Sequence, residues 1–344
     1  MIAFTSICSN YIPKAKILAA SLKKYENKLK FILCLTEREI NKEAKKFKFF
    51  DHIVLSKDLG FRNFERFIFK HSIVEAATSI KGQLFKYLLK KYPYEETFVF
   101  FDPDIIILSE LKELKEALQN SNIVLVPHLT IPENKDTLLE TLDAVKDNEL
   151  CALKHGVYNL GFLAIKRSYK SNKLIEWWSS RLDMFCYDDI PNGIFVDQRW
   201  MDLAPCFFDV LILKHPGYDI APWNLSMRKV TFKNNKYYSN DKPIRFFHFS
   251  GFDSGANEGM IRKYVKEEKN PVFKLRDEYI RLLNYYKQNE IGKLDWEYDF
   301  YKSGEKIDPN IRVIYRDNLR LQELIENPFL ESNDKIKKKL NSLI

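Results

Sequence analysis

Residues 97–108 place two carboxylates inside a long apolar run, and few folds can bury both. Four apolar residues lead into Asp102-Pro103-Asp104, and four more apolar residues follow. This pattern predicts a buried strand that is interrupted at one polar point. Because an ionised Asp removed from water costs several kcal/mol unless it is paired or bound to a metal, two of them need a shared partner. We infer that this partner is a divalent cation.

The spacing of the two carboxylates favours a common ligand. In an extended chain, residues i and i+2 point the same way, so Asp102 and Asp104 would converge on one ion. Pro103 between them favours extended geometry at Asp102. Carboxylate oxygens suit Mn²⁺ or Mg²⁺. The alternative is a turn at a strand end whose Asp side chains cap local backbone, because Asp-Pro-Asp is common turn chemistry.

Length and apolar content predict a globular protein. A chain of 344 residues that is 45% hydrophobic can form one large or two ordinary domains. No segment has 18 consecutive apolar residues, and the N-terminus lacks the pattern of a signal peptide. We therefore expect a cytoplasmic protein. Five cysteines without a Cys-x-x-Cys pair indicate reduced thiols rather than disulfides or a structural zinc site.

The net charge is compatible with several classes of binding partner. A net charge of +8, from 55 basic and 47 acidic residues, fits anionic ligands, an anionic membrane surface or nucleic acid. Nucleic acid is the weakest of these, because the chain has no zinc-finger spacing and no RNP-like aromatic motif. The basic segment 335–340 could contact acidic lipid, at the inner face of the membrane, or could be a solvated helix end.

Strands and helices alternate along the first half of the chain. This alternation predicts an α/β fold with a mainly parallel sheet whose ligand lies at the carboxyl ends of the strands. The predicted strands are 2–8, 30–35, 51–55, 97–108, 123–128 and 157–165, and the predicted helices are one opened by Pro13, 38–48, 63–92, 110–120, 132–150 and 172–184. Beyond residue 255, amphipathic spacing predicts a helical extension.

Two later regions place polar residues among aromatic ones. Asp197 and Gln198 lie in the first region, which continues to Trp223-Asn224, and a structural hydrogen-bond network is the alternative there. In the second region, an aromatic strand ends at His248 just before Ser250-Gly251. A lone His is more often a core residue, but its position at a strand end makes His248 a candidate third metal ligand.

The ordered motifs resemble nucleotide-sugar glycosyltransferases of the GT-A fold, nearest to the family of glycogenin and bacterial lipooligosaccharide galactosyltransferases. The resemblance covers about residues 1–255 and rests on Asp-x-Asp at 102 and 104, Asn-x-Gly at 159 and 161, Asp-Gln at 197 and 198 with Trp-Asn at 223 and 224, and His-x-x-Gly at 248 and 251. It implies a Rossmann-like, mixed sheet in residues 1–255, followed by a helical, basic region in residues 256–344.

The resemblance also implies roles for individual residues. Asp102, Asp104 and His248 would bind Mn²⁺ or Mg²⁺. The donor would be bound by Thr5, Tyr11, Lys81, Asp102, Asn159 and Gly251. The donor sugar would lie near Asn159 and the catalytic pair Asp197 and Gln198. Tyr11 would stack on the base, and Gln198 would stabilise an oxocarbenium-like sugar beneath its anomeric carbon. The basic residue upstream of Asp-x-Asp is Lys81 or Lys86, because the spacing does not decide between them.

One departure from the family pattern concerns the phosphates. A Lys-Pro-Trp segment often follows the His in that family, whereas this chain has Phe-Asp-Ser-Gly at 252–255. The phosphate-contacting lysine is therefore unmatched, with Arg262 or Lys263 as substitutes.

The implied function is metal-dependent transfer of a sugar, from a donor that is most simply a UDP-sugar, to a glycan or lipid-linked acceptor in bacterial cell-surface polysaccharide synthesis. Related enzymes retain the anomeric configuration, so we expect retention; an inverting enzyme would need a carboxylate base, such as Asp253 or Asp197. The rival function is a non-catalytic nucleotide-sugar-binding or assembly protein with the same fold. A nucleotidyltransferase is disfavoured because the N-terminus has no Gly-rich phosphate loop.

Overall fold

A mixed seven-stranded sheet forms the centre of the protein, which was analysed as a computed structural model describing residues 1–343. Its strand order is β10-β6-β7-β4-β1-β2-β3. β7 is antiparallel to both of its neighbours, and the other neighbouring pairs are parallel. These strands are β1 Ile2–Ile7, β2 Lys30–Leu35, β3 His52–Leu55, β4 Thr97–Phe101, β6 Ile123–Pro127, β7 Tyr158–Lys166 and β10 Leu211–Ile212.

Smaller β-structures surround the central sheet. The strand β5 pairs with β14 in an antiparallel manner, β8 pairs with β9, and β11 to β13 form a three-stranded sheet. Their bounds are β5 Ile105–Ile107, β8 Asp188–Asp189, β9 Ile194–Phe195, β11 Val230–Lys233, β12 Lys236–Ser239, β13 Lys242–Pro243 and β14 Phe246–His248.

Helices connect and cover the strands. Those of the first 255 residues are α1 Ile12–Tyr25, α2 Lys42–Lys45, α3 Phe64–Phe69, α4 Ile73–Ser79, α5 Lys81–Lys91, α6 Lys112–Asn120, α7 Leu138–Ala144, α8 Leu150–His155, α9 Tyr169–Phe185 and α10 Ala204–Phe207. The later ones are α11 Ala256–Tyr264, α12 Pro271–Tyr285, α13 Gln288–Ile291, α14 Pro309–Asp317, α15 Leu319–Leu324 and α16 Asn333–Asn341. None of the helices in residues 1–343 is long and apolar enough to cross a membrane.

Burial on both faces explains the continuous apolar strands. Along β1, Ile2 and Phe4 belong to one apolar cluster and Ala3 and Ile7 to another, because successive side chains point to opposite faces of the sheet. The predicted fold class, a mainly parallel α/β sheet flanked by helices with a helical C-terminal extension, is confirmed.

Several predicted boundaries were wrong. The predicted helix 38–48 is reduced to α2, and 63–92 divides into three helices. Residues 132–150 contain α7 and a π-helical turn, Val145–Glu149, before α8. The predicted strand 97–108 is two strands in different sheets, because residues 102–104 turn and the amide of Ile105 donates to the carbonyl of Asp102 at 3.2 Å.

Residues on both sides of position 255 share the apolar interior. Each of the three clusters contains residues of the C-terminal region, such as Trp296, Ile291 and Tyr279. The division into domains 1–255 and 256–344 stays a prediction.

Candidate active site

The strand ends of the central sheet open into one cleft. Its volume is about 980 Å³, within the range of small-molecule sites, and among its lining residues are Tyr11, Lys81, Asp102, Asp104, Asn159, Asp197, Gln198, His248 and Gly251. The segments after β1 and β4, the end of β14 and the start of the antiparallel β7 supply most of these residues. Lys81 begins α5, and Asp197 and Gln198 follow β9. The topology therefore brings together motifs that are as much as 240 positions apart in the sequence.

Asp102, Asp104 and His248 form the floor of the cleft. One potential ligand atom from each side chain lies within 4.8 Å of the others. His248 Nε2 is 3.1 Å from Asp104 Oδ1 and 3.9 Å from Asp102 Oδ2. Oxygen ligands with one imidazole nitrogen suit Mn²⁺ or Mg²⁺, so the residues fit the predicted metal.

The two carboxylates converge for a different reason from the predicted one. They belong to a turn rather than to an extended strand, so the alternative reading of Asp-Pro-Asp is correct for the backbone. Backbone bonds hold this turn: the amide of Asp102 donates to Gly161 in β7, and that of Phe249 donates to Asp104. Turn chemistry and a metal-binding arrangement coexist here, because the turn aims both side chains at His248.

The electrostatics of the floor favour a cation. Burial lowers the pKa of His248, but Asp104 and Asp219 outweigh it and hold that pKa well above the usual value. Burial would raise the pKa of Asp104, yet His248 lowers it below the usual range. Burial raises the pKa of Asp102, against the opposing effect of Lys81. A positive charge is thus needed between the carboxylates, and either a proton on His248 or a bound metal ion supplies it.

Lys81 is the cation behind the floor. It is 2% exposed, and its Nζ lies 3.0 Å from Asp197 Oδ2, 3.2 Å from Asp102 Oδ1 and 3.0 Å from the carbonyl of Leu160. The two carboxylates outweigh the effect of burial and raise the pKa of Lys81. Lys86, the other predicted basic residue, is exposed on the far side of α5 and does not line the cleft.

Asp197 and Gln198 are held firmly on one wall. Burial raises the pKa of Asp197 to about 6, despite the nearby Lys81. Gln198 Oε1 accepts from the amide of Leu160 at 3.0 Å, and its Nε2 donates to the carbonyl of His155 at 3.1 Å. The orientation of the Gln198 amide is therefore fixed, and one lone pair of its oxygen is left for a substrate.

The other predicted donor-binding residues differ in accessibility. Asn159 lines the cleft, accepts from the amide of Gly161 at 2.7 Å and places its Nδ2 3.1 Å from His128 Nε2. Tyr11 and Gly251 lie at the rim, and Gly251 has a left-handed φ of 70°. Thr5, by contrast, is fully buried in β1 and does not line the cleft.

Several residues of the site escaped sequence reasoning. Asp219 is fully buried, and its Oδ1 lies 3.3 Å from His248 Nδ1. His128, His155, Asn148 and Cys151 line the cleft, and Trp223 packs edge-on against both His128 and His248. Asp219 lies between Gln198 and Trp223, so the sequence marked its region but not the residue. Asn148, Cys151 and His155 lie on one helical face, with no signal beyond their spacing.

Comparisons with known proteins give partial matches. No family model matches the sequence. The uncharacterized proteins YfnF and YfnD of Bacillus subtilis (strain 168) are 24% and 23% identical over 181 residues, which is 52% of this chain. These matched segments cover 57% and 54% of the two relatives, so the chain spans about half the length of the curated relatives it matches.

Similar solved structures are glycosyltransferases. Galactosyltransferase LgtC, in complex with donor and acceptor sugar analogs, is 13% identical, with 83% of this chain and 96% of that chain covered at a TM-score of 0.49. The apo form of the glycosyltransferase GlyE of Streptococcus pneumoniae TIGR4 is 12% identical, with coverages of 88% and 66% and a TM-score of 0.42. At these identities and TM-scores, the reaction has to be inferred from the site itself.

Proposed function

We propose that this protein is a metal-dependent glycosyltransferase that moves a sugar from a nucleotide-diphosphate sugar, a UDP-sugar in the simplest case, to a glycan or lipid-linked acceptor. The observation that carries the proposal is the Asp102, Asp104 and His248 cluster, whose ligand atoms lie within 4.8 Å of one another in the floor of the large cleft. When bound there, Mn²⁺ or Mg²⁺ would neutralise charge on the diphosphate leaving group.

The residues around the cluster support binding and orientation of the donor. Tyr11 presents an aromatic ring at the rim for the base, and Gly251 leaves the backbone accessible to a phosphate. Asn159 and the Asp197-Gln198 pair lie on the wall beside the metal ligands. Lys81 holds Asp102 and Asp197 in place, which would limit their reorganisation during the reaction.

Retention of anomeric configuration belongs to the same proposal. Gln198 offers a fixed amide oxygen that can stabilise positive charge on the sugar without forming a full ionic bond. Asp197 and Asp253, the candidate bases of an inverting enzyme, are instead paired with Lys81 and Lys14. A product whose new linkage has the opposite configuration to the donor, seen by NMR, would exclude retention.

We favour a cell-surface polysaccharide made by bacteria, and an acceptor linked to lipid would bring the protein to the inner face of the membrane.

The deciding experiment is a thermal shift assay of wild type and Asp104→Ala with a panel of nucleotide-sugars, each with and without Mn²⁺. A ligand at about 100 times its Kd stabilises the native state by about 2.7 kcal/mol. We expect one nucleotide to stabilise wild type only with the metal, and to leave Asp104→Ala unchanged. Asp209→Ala, which removes a carboxylate that is 78% exposed, is the control and should behave as wild type.

If no nucleotide has a metal-dependent effect on wild type, the metal-diphosphate site is refuted. If a nucleotide binds with metal but no donor is turned over with any acceptor or with water, the non-catalytic alternative replaces the enzymatic proposal.

A further inference from the structure

Lys14 and Asp253 form an unusual pair at the rim of the cleft. Lys14 lies in the first turn of α1, is 1% exposed, and has its amino group 3.9 Å from the centroid of the Tyr11 ring. Its ionic partner is Asp253, whose side chain is 47% exposed. A buried ammonium group is therefore covered, on its cleft side, by a half-exposed carboxylate.

Stability alone is a weak reason for this pair. An ion pair with a well-exposed member adds little to the free energy of unfolding, whereas burying the lysine is costly. Lys16, on the same helix, pairs with Glu43 at 3.3 Å, and this pair differs because its carboxylate does not line the cleft, whereas Asp253 does.

The partners of Lys14 connect it to the cleft that holds the candidate metal site. Its amino group lies over the Tyr11 ring and pairs with Asp253. Tyr11, Asp104, Gly251 and Asp253 all line the same cleft. Lys14 is not itself part of the cleft lining, so its amino group lies behind the lining residues Tyr11 and Asp253.

The cleft offers a diphosphate few protein cations, because the lysines in its lining are Lys81 and the exposed Lys293. Asp102, Asp104, Asp197 and Asp253 line the cleft, and Lys81 is already shared by two of these carboxylates. The substitutes expected from the sequence are bound elsewhere: Arg262 pairs with Glu258 at 2.7 Å, and Lys263 pairs with Asp147. A diphosphate adds further negative charge, so a cation in addition to the metal would favour its binding.

The segment that carries Asp253 is an exposed loop between β14 and α11. Gly251 and Gly255 flank it with left-handed φ angles of 70° and 79°, and no atom lies within 4 Å of a Cβ added at Gly255. The amide of Asn257 donates to the carbonyl of Gly251 at 3.1 Å, and its side chain donates to Ser250 at 3.2 Å. Because the Asp253 side chain is 47% exposed, a rotamer change towards solvent can release Lys14 without moving β14 or α11.

We propose that Lys14 is the diphosphate-binding cation of this protein, and that Asp253 occupies the lysine until a nucleotide displaces it. This inference rests on the proposed function, since it assumes that a nucleoside diphosphate enters the cleft. The carboxylate and the diphosphate compete for one ammonium group, so the two members of the pair have opposite effects on nucleotide affinity.

Isothermal titration calorimetry with UDP and with inorganic pyrophosphate, each in the presence of Mn²⁺, tests the competition. Lys14→Met, which keeps the length of the buried side chain, should weaken binding of both probes by about tenfold. Asp253→Asn should tighten binding, because its neutral amide competes less strongly. In the double variant, Asp253→Asn should have no effect beyond that of Lys14→Met.

Lys16→Met is the matched control, and we expect wild-type affinity for both probes. Should Asp253→Asn weaken binding or leave it unchanged, the pair is structural and the inference is overturned. The same conclusion follows if Lys14→Met binds as wild type does. If Lys14→Met fails to fold, as judged by circular dichroism, the sign of the change in Asp253→Asn decides alone. Absence of metal-dependent binding by wild type would refute the proposed function itself, and is thereby distinguishable from failure of this inference alone.

Discussion

Asp219 controls how His248 can act as a ligand. The carboxylate lies 3.3 Å from Nδ1, so the proton of a neutral imidazole is held there and Nε2 faces Asp102 and Asp104 with a free lone pair. Partners of this kind fix the tautomer and the orientation of a metal-binding His. Asp219 itself is fully buried and contributes no ligand atom to the cluster.

We predict that Asp219→Asn weakens Mn²⁺ binding by about 10–100-fold. The Asn amide can donate to Nδ1, which would place the remaining proton on Nε2 and remove the lone pair that the metal needs. The measurement is a Mn²⁺ titration followed by calorimetry, with unfolding of the metal-free protein as the check on folding. Wild-type affinity in a folded Asp219→Asn variant would show that the Asp219 contact does not orient the ligand.

The individual site residues differed in how well the sequence predicted them. Asp102, Asp104 and His248 were predictable because each interrupts or ends an apolar strand. Asp219 and Lys14 were not, since their roles depend on partners 29 and 239 positions away. For Asp102 and Asp104, the sequence predicted that they lie together with His248, but it predicted an extended strand where the backbone turns.

At the scale of the elements, β7 runs directly beneath the metal cluster, and Gly161 makes the close approach possible. A Cβ at this position would lie 2.6 Å from His248 Cε1, 2.6 Å from Asn159 Oδ1 and 3.0 Å from Asp102 Oδ2. Distances this short exceed what side-chain adjustment can absorb within a packed strand. The strand therefore needs a glycine at position 161, where it passes under three side chains of the site.

Gly161→Ala should abolish the Mn²⁺-dependent thermal shift while costing only about 1–3 kcal/mol in the free energy of unfolding, which is typical of overpacking. The extra methyl group pushes His248 and Asp102 apart, so the site is lost before the fold. Gly259→Ala in α11 is the matched control: no atom lies within 4 Å of its added Cβ. We expect this control to keep the shift and to gain about 0.4–1 kcal/mol. An intact metal-dependent shift in Gly161→Ala would contradict this role of β7.

The sequence predicted which segments form strands and helices better than it predicted where these elements begin and end. Continuous apolar runs identified β1, β2, β4 and β6, because strands buried on both faces tolerate few polar residues. The π-helical turn 145–149 and the separate pairing of β5 with β14 depend on contacts with other parts of the chain. Local periodicity contains no signal for either feature.

On the scale of the whole molecule, the C-terminal region completes both the interior and the cleft. Gln288, Asn289, Gly292 and Lys293 line the cleft, and α13 packs beside the Ser9–Tyr11 turn that follows β1. Glu37 joins the two parts, since one of its oxygens accepts from the amide of Ser9 at 2.6 Å and the other from the amide of Glu297 at 3.2 Å. The segment that leads to Tyr11 is thus positioned partly by residues nearly 290 positions later.

We predict that the chain unfolds in one cooperative transition, and that Trp296→Ala lowers the free energy of unfolding by about 3–5 kcal/mol. Trp296 is 2% exposed, belongs to the same apolar cluster as Phe4 and Phe100, and donates through Nε1 to the carbonyl of Thr36 at 2.8 Å. Its removal therefore opens a cavity against the central sheet rather than within a separate domain. In urea unfolding, the curve followed by circular dichroism should coincide with the curve followed by tryptophan fluorescence, both for wild type and for the variant.

The control is Leu319→Ala, at a side chain that is 73% exposed, which should change the free energy of unfolding by no more than about 0.5 kcal/mol. Two separate transitions, with Trp296→Ala shifting only one, would instead establish residues 256–344 as an independent domain, and would make the cleft a site between two folding units.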